Sequence, residues 1–194
     1  MHCTALAAPL HPHEAPSQPW EVITLDLLRP LPMSNRYNAI LIIVNRLTKH
    51  VKFEAMHVEL TTEGFVKTLR DRVFCNHGLL RKVIHDHDPQ FVNKYIKSLF
   101  DLLGIKQNAS TAFHPITEGQ TERINQDIEE YLHIFVNQQQ DNWDEWLLIT
   151  EFCHNDREHS ATKQMPFFLN TGQHSMERHR DSLHVKQQIS EYLL

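Results

Sequence analysis

Val83-Ile84-His85-Asp86 is an apolar run that ends in a carboxylate. Thirty-five residues separate Asp86 from Glu122, within Thr117-Glu118-Gly119-Gln120-Thr121-Glu122-Arg123-Ile124-Asn125, where a Gly-containing turn enters a helical pattern. A third carboxylate, Asp26, stands sixty positions before Asp86 inside the apolar run Val22-Ile23-Thr24-Leu25-Asp26-Leu27-Leu28. A charge in mid-strand is costly unless it is paired or metal-bound. With the two apolar runs as sheet neighbours and the helix near Gly119 covering the same end, the three acids converge.

Carboxylates gathered so closely raise one another's pKa, and divalent cations remove that penalty. A donor set made only of oxygen selects hard ions, Mg²⁺ or Mn²⁺, over zinc. Two such ions, roughly 3.5–4 Å apart, activate a water or 3′-hydroxyl and stabilise the leaving oxygen of a phosphodiester. Acidic residues are common, so the spacing alone also fits three unrelated acids.

Outward from this stretch, the chain reads as an alternation of periods. Residues 1–18 carry three of the four early prolines and form an extended lead-in to a domain over 19–175. Trp20 to Leu28 is a first strand, too apolar to have a wet face. A breaker-rich turn precedes Tyr37 to Val44, the most β-prone segment, and Val51 to Met56 completes an antiparallel meander. Phe65, Leu69 and Val73 recur every four residues in a helix capped by Thr61 or Thr62 and stopped at Gly78. Lys82–His85 is a short strand. Phe91, Tyr95, Leu99, Leu102 and Leu103 mark a helix that Gly104 ends, and Ile105 to Ala109 a further strand. A long helix starts near Gly119 or Gln120 with the stripe Ile124, Ile128, Tyr131, Leu132 and Phe135, and another spans about Asn142 to His154. Residues 176–194 are a polar tail with helical potential. The expected architecture is α/β, a mixed sheet flanked by helices.

The chain's 194 residues suit one domain with a real core. With 24 acidic against 19 basic residues, the net charge of −5 has the wrong sign for holding nucleic acid by phosphate neutralisation alone. No apolar run approaches the length of a membrane span, and no membrane partner is expected. The start lacks the basic and hydrophobic regions of a secretory signal. Three dispersed cysteines without a C-x-x-C pair point to a reducing compartment, nuclear or cytoplasmic. Fifteen scattered histidines lack the i, i+4 spacing of a helical zinc pair.

Several ordered blocks resemble the catalytic core of retroviral-type integrases, with the nearest likeness to gypsy-type LTR retrotransposons, where it is part of a Pol polyprotein. They are Pro19 through Asp26; Asp86 with Pro89-Gln90-Phe91; His114-Pro115 through Gly119 to Gln126; Asn142 to Leu147; Glu151-Phe152; and His159 to Thr162 with Pro166-Phe167. The likeness covers about residues 10–175. It implies a ribonuclease-H-like fold and a D,D-35-E triad of Asp26, Asp86 and Glu122. That triad would bind two Mg²⁺ or Mn²⁺ ions for 3′-end processing and strand transfer into DNA. It also implies a homo-oligomer.

Three departures stand out. His87-Asp88 replaces the family's usual Arg-Gly, Asn45-Arg46 its Asp-Arg, and Lys163-Gln164 interrupts its Thr-Gly. The family's upstream zinc domain and downstream DNA- or chromatin-binding domain have no counterpart in these residues, so DNA affinity is expected to be weak and salt-dependent. Arg123, Asn125 and Gln126 are candidate DNA contacts beside Glu122, with Lys49, Lys52 and Arg46 as another patch. A solvated helix face accounts for the same residues. The stripe Trp143, Trp146 and Leu147 fits core or dimer interface better than a base-stacking platform.

Three functions compete. One is an integrase core acting as a metal-dependent polynucleotidyl transferase. Another is a degenerate or domesticated remnant that binds nucleic acid or protein. The last is a ribonuclease-H-type nuclease, which leaves the Gln120-Thr121-Glu122-Arg123 block unexplained.

Overall fold

The three β-prone runs pair as the meander their short links demand: β1 (Val22–Leu28) with β2 (Ala39–Asn45), and β2 with β3 (Val51–Met56), both antiparallel. In the computed structural model, which describes residues 15–59, 61–86, 91, 93–109 and 115–175, β4 (Lys82–His85) and β5 (Lys106–Ala109) add in parallel on the other side of β1. The order is β3-β2-β1-β4-β5. All seven residues of β2 are buried, as a central strand covered on both faces requires. Trp20 adopts φ 64° and belongs to the turn ahead of β1, so the strand starts two residues later than its hydrophobicity suggests.

One sheet face, with Ile23, Leu25, Leu41, Ile43 and Val83, packs on α1 (Thr62–Leu69) and α3 (Lys94–Leu102). Thr61 caps α1 by accepting the Gly64 N–H at 3.1 Å. Phe65, Leu69 and Val73 all point inward, and a π turn over Arg70–Phe74 leads into the last turn, α2 (Cys75–His77). Around α3 the expected stripe holds at its ends, where Phe91 is buried and Leu103 packs against the core, but is displaced between them. Asn93 caps the helix and turns Ile96 and Phe100 into the core, leaving Tyr95 74% and Leu102 83% exposed. The sequence holds two interleaved i, i+4 series there, and tertiary packing selects the other one.

The opposite face, with Ile40, Ile42, Val51 and Phe53, is covered by α4 (Pro115–Phe135) and α5 (Leu147–Asn155). Helix α4 begins at Pro115, not near Gly119: proline's missing N–H and fixed φ suit the first helical position. Its stripe Ile124, Ile128, Tyr131 and Leu132 is buried as expected. The predicted helix from Asn142 is a 3₁₀ turn over Trp143–Trp146 followed by α5, with Trp143 and Leu147 inside the core and Trp146 packed against it. A short helix, α6 (Pro166–Thr171), went unpredicted. The sequence expectations for residues 1–14, 87–90 and 176–194, and for the side chains of 109, 115–122, 134 and 135, lie outside the described residues. Among the described residues no helix is long and apolar enough to cross a membrane.

Candidate active site

The parallel ladder between β1 and β4 pairs Val22 with Lys82, Ile23 with Val83, Thr24 with Ile84 and Leu25 with His85. One further step along both strands sets Asp26 beside Asp86. In-register residues of parallel neighbours share a sheet face and lie roughly 4.8 Å apart. Asp26 also opposes Ile42 of β2, whose side chain belongs to the core under α4 and α5. The two carboxylates therefore sit on the α4 side of the sheet, Asp26 within β1 and Asp86 directly after β4, with Asp26 half-buried and Asp86 exposed.

Helix α4 reaches this corner through Asn125. Its Nδ2 donates to Asp26 Oδ2 at 3.5 Å, the outer limit of a hydrogen bond. Asn125 Oδ1 is buried and has no partner among the described residues. Position 122 lies one turn N-terminal to Asn125 on the same helix face, by the i, i+3 rule. The Glu122 side chain is outside the described set, and among the described residues no three acids, histidines or cysteines gather to hold a metal. The donor chemistry of Asp26 and Asp86 nevertheless fits a hard divalent ion, since both offer only oxygen.

His85 adds a feature that sequence reading missed. It is buried on the opposite sheet face, 5.6 Å from the ring of Phe91, and its Nδ1 donates to the Asp86 carbonyl at 2.6 Å. That bond fixes the tautomer with a bare Nε2, which is itself buried without a partner among the described residues. The main chain at Asp86 is thus tethered from beneath. An apolar run ending in His-Asp is the only sequence signal for this.

The expected DNA contacts do not form one surface. Asn125 faces Asp26, whereas Arg123 and Gln126 line an open cleft of about 240 Å³ between α4 and the segment after α5. Arg123 donates to Ser160 Oγ at 2.7 Å. Lys49 lies in the β2–β3 turn, at the end of the sheet where β1 begins, so about four residues of strand, on the order of 13 Å, separate it from the carboxylates. Burial, with Arg46 adding to it, lowers its ammonium to about 8. Lys52 lies over the Trp20 ring, 5.3 Å from the centroid.

Two of the sequence departures are visible. Asn45 is buried and accepts the Leu47 N–H at 3.1 Å, holding the β2–β3 turn. Lys163 adopts φ 55°, a left-handed conformation that glycine takes without strain. Its turn is closed by Lys163 N–H donating to His159 O at 2.8 Å.

A five-stranded mixed sheet in this order, with helices on both faces, is the ribonuclease-H-like fold of integrase catalytic cores. The chain superposes on the catalytic core of HTLV-2 integrase, solved in complex with magnesium in a trimeric form, with TM-score 0.61 and 14% identity over 78% of this chain and 97% of that one. The catalytic core of BIV integrase gives TM-score 0.60 at 14% identity, over 89% and 99%. In sequence the chain is similar to the transposon Tf2-3 polyprotein of Schizosaccharomyces pombe, 29% identical over 159 residues. That match takes in 82% of this chain and 12% of the polyprotein, so the chain spans about an eighth of its relative's length. No protein-family model matches.

Proposed function

We propose that the chain is the catalytic core of a gypsy-type retrotransposon integrase, a metal-dependent polynucleotidyl transferase for 3′-end processing and strand transfer. The observation that supports this reading is the β1/β4 register, which pairs Leu25 with His85, the residues immediately before Asp26 and Asp86, while Asn125 of α4 approaches Asp26. Asp26, Asp86 and Glu122 would hold two Mg²⁺ or Mn²⁺ ions, which supply Lewis-acid activation of the attacking oxygen and charge neutralisation at the leaving one. The magnesium bound by the HTLV-2 core agrees with that assignment. Asp26, half-buried among apolar neighbours, provides a fixed carboxylate, and Asp86 an exposed one open to substrate. Asn125 Nδ2 orients Asp26, and its bare Oδ1 adds a further oxygen at the site. The substrate is DNA, bound weakly by a chain of net charge −5, and the working form is a homo-oligomer.

The test is a disintegration assay on branched DNA with Mn²⁺. Activity that falls at least about 100-fold in Asp86→Asn and in Glu122→Gln is the expected outcome, since each change removes a metal-binding charge worth several kcal/mol in the transition state. A second reading, a domesticated remnant that binds nucleic acid or protein, is favoured by His87-Asp88 in place of Arg-Gly, which adds negative charge beside Asp86. An inactive wild-type chain that still binds DNA would select it.

A further inference from the structure

We infer that the cleft between α4 and the segment after α5 is a second nucleic-acid contact, binding one backbone phosphodiester through Arg123, Arg157, His159 and Ser160. The inference rests on the integrase reading for its ligand but on separate residues for its chemistry.

The cleft's donors are directed into it by internal bonds. His159 Nδ1 accepts the Ala161 N–H at 3.2 Å, so its proton sits on Nε2. Ser160 Oγ accepts from Arg123, leaving its own hydrogen to donate. Arg157 is 60% exposed and lies 3.7 Å from Asp127, with Tyr131 as a second side-chain partner. The two acids at the cleft, Asp127 and Glu158, do not cancel these groups equally. Asp127 lies 3.4 Å from Nδ1 of the buried His154, and although burial raises its carboxyl, the His154 bond with the charges of His154, Arg157 and Arg123 holds it low on balance. Its charge is therefore engaged inside the wall, where it orients His154 and Arg157. Glu158 is exposed to solvent.

His159 is held below the ordinary histidine value chiefly by burial, with Lys49, His154 and Arg123 adding to it and Asp127 opposing. The guanidinium groups of Arg123 and Arg157 stand at the cleft with the carboxylates of Asp127 and Glu158. At about 240 Å³ the cleft is smaller than pockets for drug-sized ligands and suits a single tetrahedral anion. Planar guanidinium forks with hydroxyl and imidazole donors match phosphate oxygens.

The test needs neither metal nor catalysis. The full chain, in EDTA, is titrated with a deoxythymidine dinucleotide and separately with inorganic phosphate, following the His159 ring signal assigned through His159→Gln. Saturable movement with the dinucleotide, at least tenfold tighter than with phosphate, is expected. Arg157→Gln should weaken it about tenfold, and Lys97→Gln, an exposed cation on α3 on the other sheet face, less than twofold. No saturable movement overturns the inference. So does an equal loss in Lys97→Gln, or phosphate binding as tightly as the dinucleotide. Because Mn²⁺-dependent activity is measured independently, a negative result here with an active wild type removes the cleft and leaves the catalytic reading standing.

Discussion

The β3 edge and the carboxylate corner both place polar side chains against apolar sheet, yet they treat them oppositely. Along β3, an edge strand, α5 supplies the missing partners. Glu151 accepts the Phe53 N–H at 2.7 Å, and Asn155 both accepts the Val51 N–H at 2.8 Å and donates to the Val51 carbonyl at 2.9 Å. Arg72 closes the network on Glu151 at 2.7 Å and Glu54 at 3.2 Å. The edge is sealed against pairing with another strand. At the carboxylate corner Asn125 reaches Asp26 only at 3.5 Å, while Asn125 Oδ1 and His85 Nε2 have no partner among the described residues. Paired polar groups hold the edge, and the bare oxygen of Asn125 beside Asp26 leaves an acceptor free at the carboxylate corner.

The sharpest way to break that contrast is to neutralise one residue of each kind. Asp26→Asn should abolish strand transfer, by a factor on the order of 10³, while the melting temperature stays the same or rises. Unfolding of this variant would make the carboxylate structural and erase the distinction.

Glu151→Ala should do the reverse, costing roughly 2 kcal/mol in urea unfolding because it strands the Phe53 N–H and leaves Arg72 with only Glu54 and the Phe53 carbonyl. Burial raises the Glu151 carboxyl, more than Phe53, Arg72 and Lys52 lower it, so the charge itself is no gain. Glu151→Gln, which keeps an acceptor for Phe53, should therefore cost less than half as much. Equal losses in the two variants would show that charge, not hydrogen bonding, seals the edge.

Much of this was legible beforehand, for physical reasons that differ by element. The strands are apolar runs with turn residues between them, and Val51 to Met56 falls where the pattern sets it. Phe65, Leu69 and Val73 offer one helical stripe and take it. Helix α3 offers two, and only the Asn93 cap and the facing core choose between them. Asp26 stands out in the sequence because a mid-strand aspartate is anomalous, whereas Asp86 and Glu122 are named from their spacing and the family likeness. The cleft could not be named, since Asp127 and His154 meet across twenty-seven positions without any local period. The β3 edge cap was equally hidden: Glu151 belongs to a block that carries the family likeness, but nothing local shows that it and Asn155 reach the β3 backbone.

A third, smaller effect lies at the far end of β1 and extends the contrast to pH. His50 is buried, with its Nδ1 lacking a partner among the described residues, and burial with Lys52 and His77 nearby lowers it to about 3. His77, stacked on Trp20 at 4.2 Å, is lowered to about 4 by burial and Lys52. Both folded values lie below the unfolded one, near 6.5. Stability is therefore complete above pH 6.5 and is lost as the pH falls toward 4, by about 2 kcal/mol at pH 5 for His50 alone. In His50→Leu the pH dependence of unfolding between 6.5 and 4 should lose about one proton. An unchanged slope would place the acid sensitivity elsewhere.

The smallest effect concerns His85, where structure and site meet. Its bond to the Asp86 carbonyl holds the main chain at a carboxylate without touching the carboxylate itself. His85→Asn keeps a donor where Nδ1 stands, and His85→Leu keeps the apolar volume against Phe91 but no donor. Mn²⁺ affinity, read by titration, should drop about tenfold in the leucine variant and recover to within about threefold in the asparagine one, a difference of one charge-neutral hydrogen bond, roughly 1 kcal/mol. A role in packing alone predicts the opposite order, because leucine fills the site better than asparagine. If the leucine variant binds Mn²⁺ as wild type does, the tether holds the fold and not the site, and His85 belongs with Glu151 rather than with Asp26.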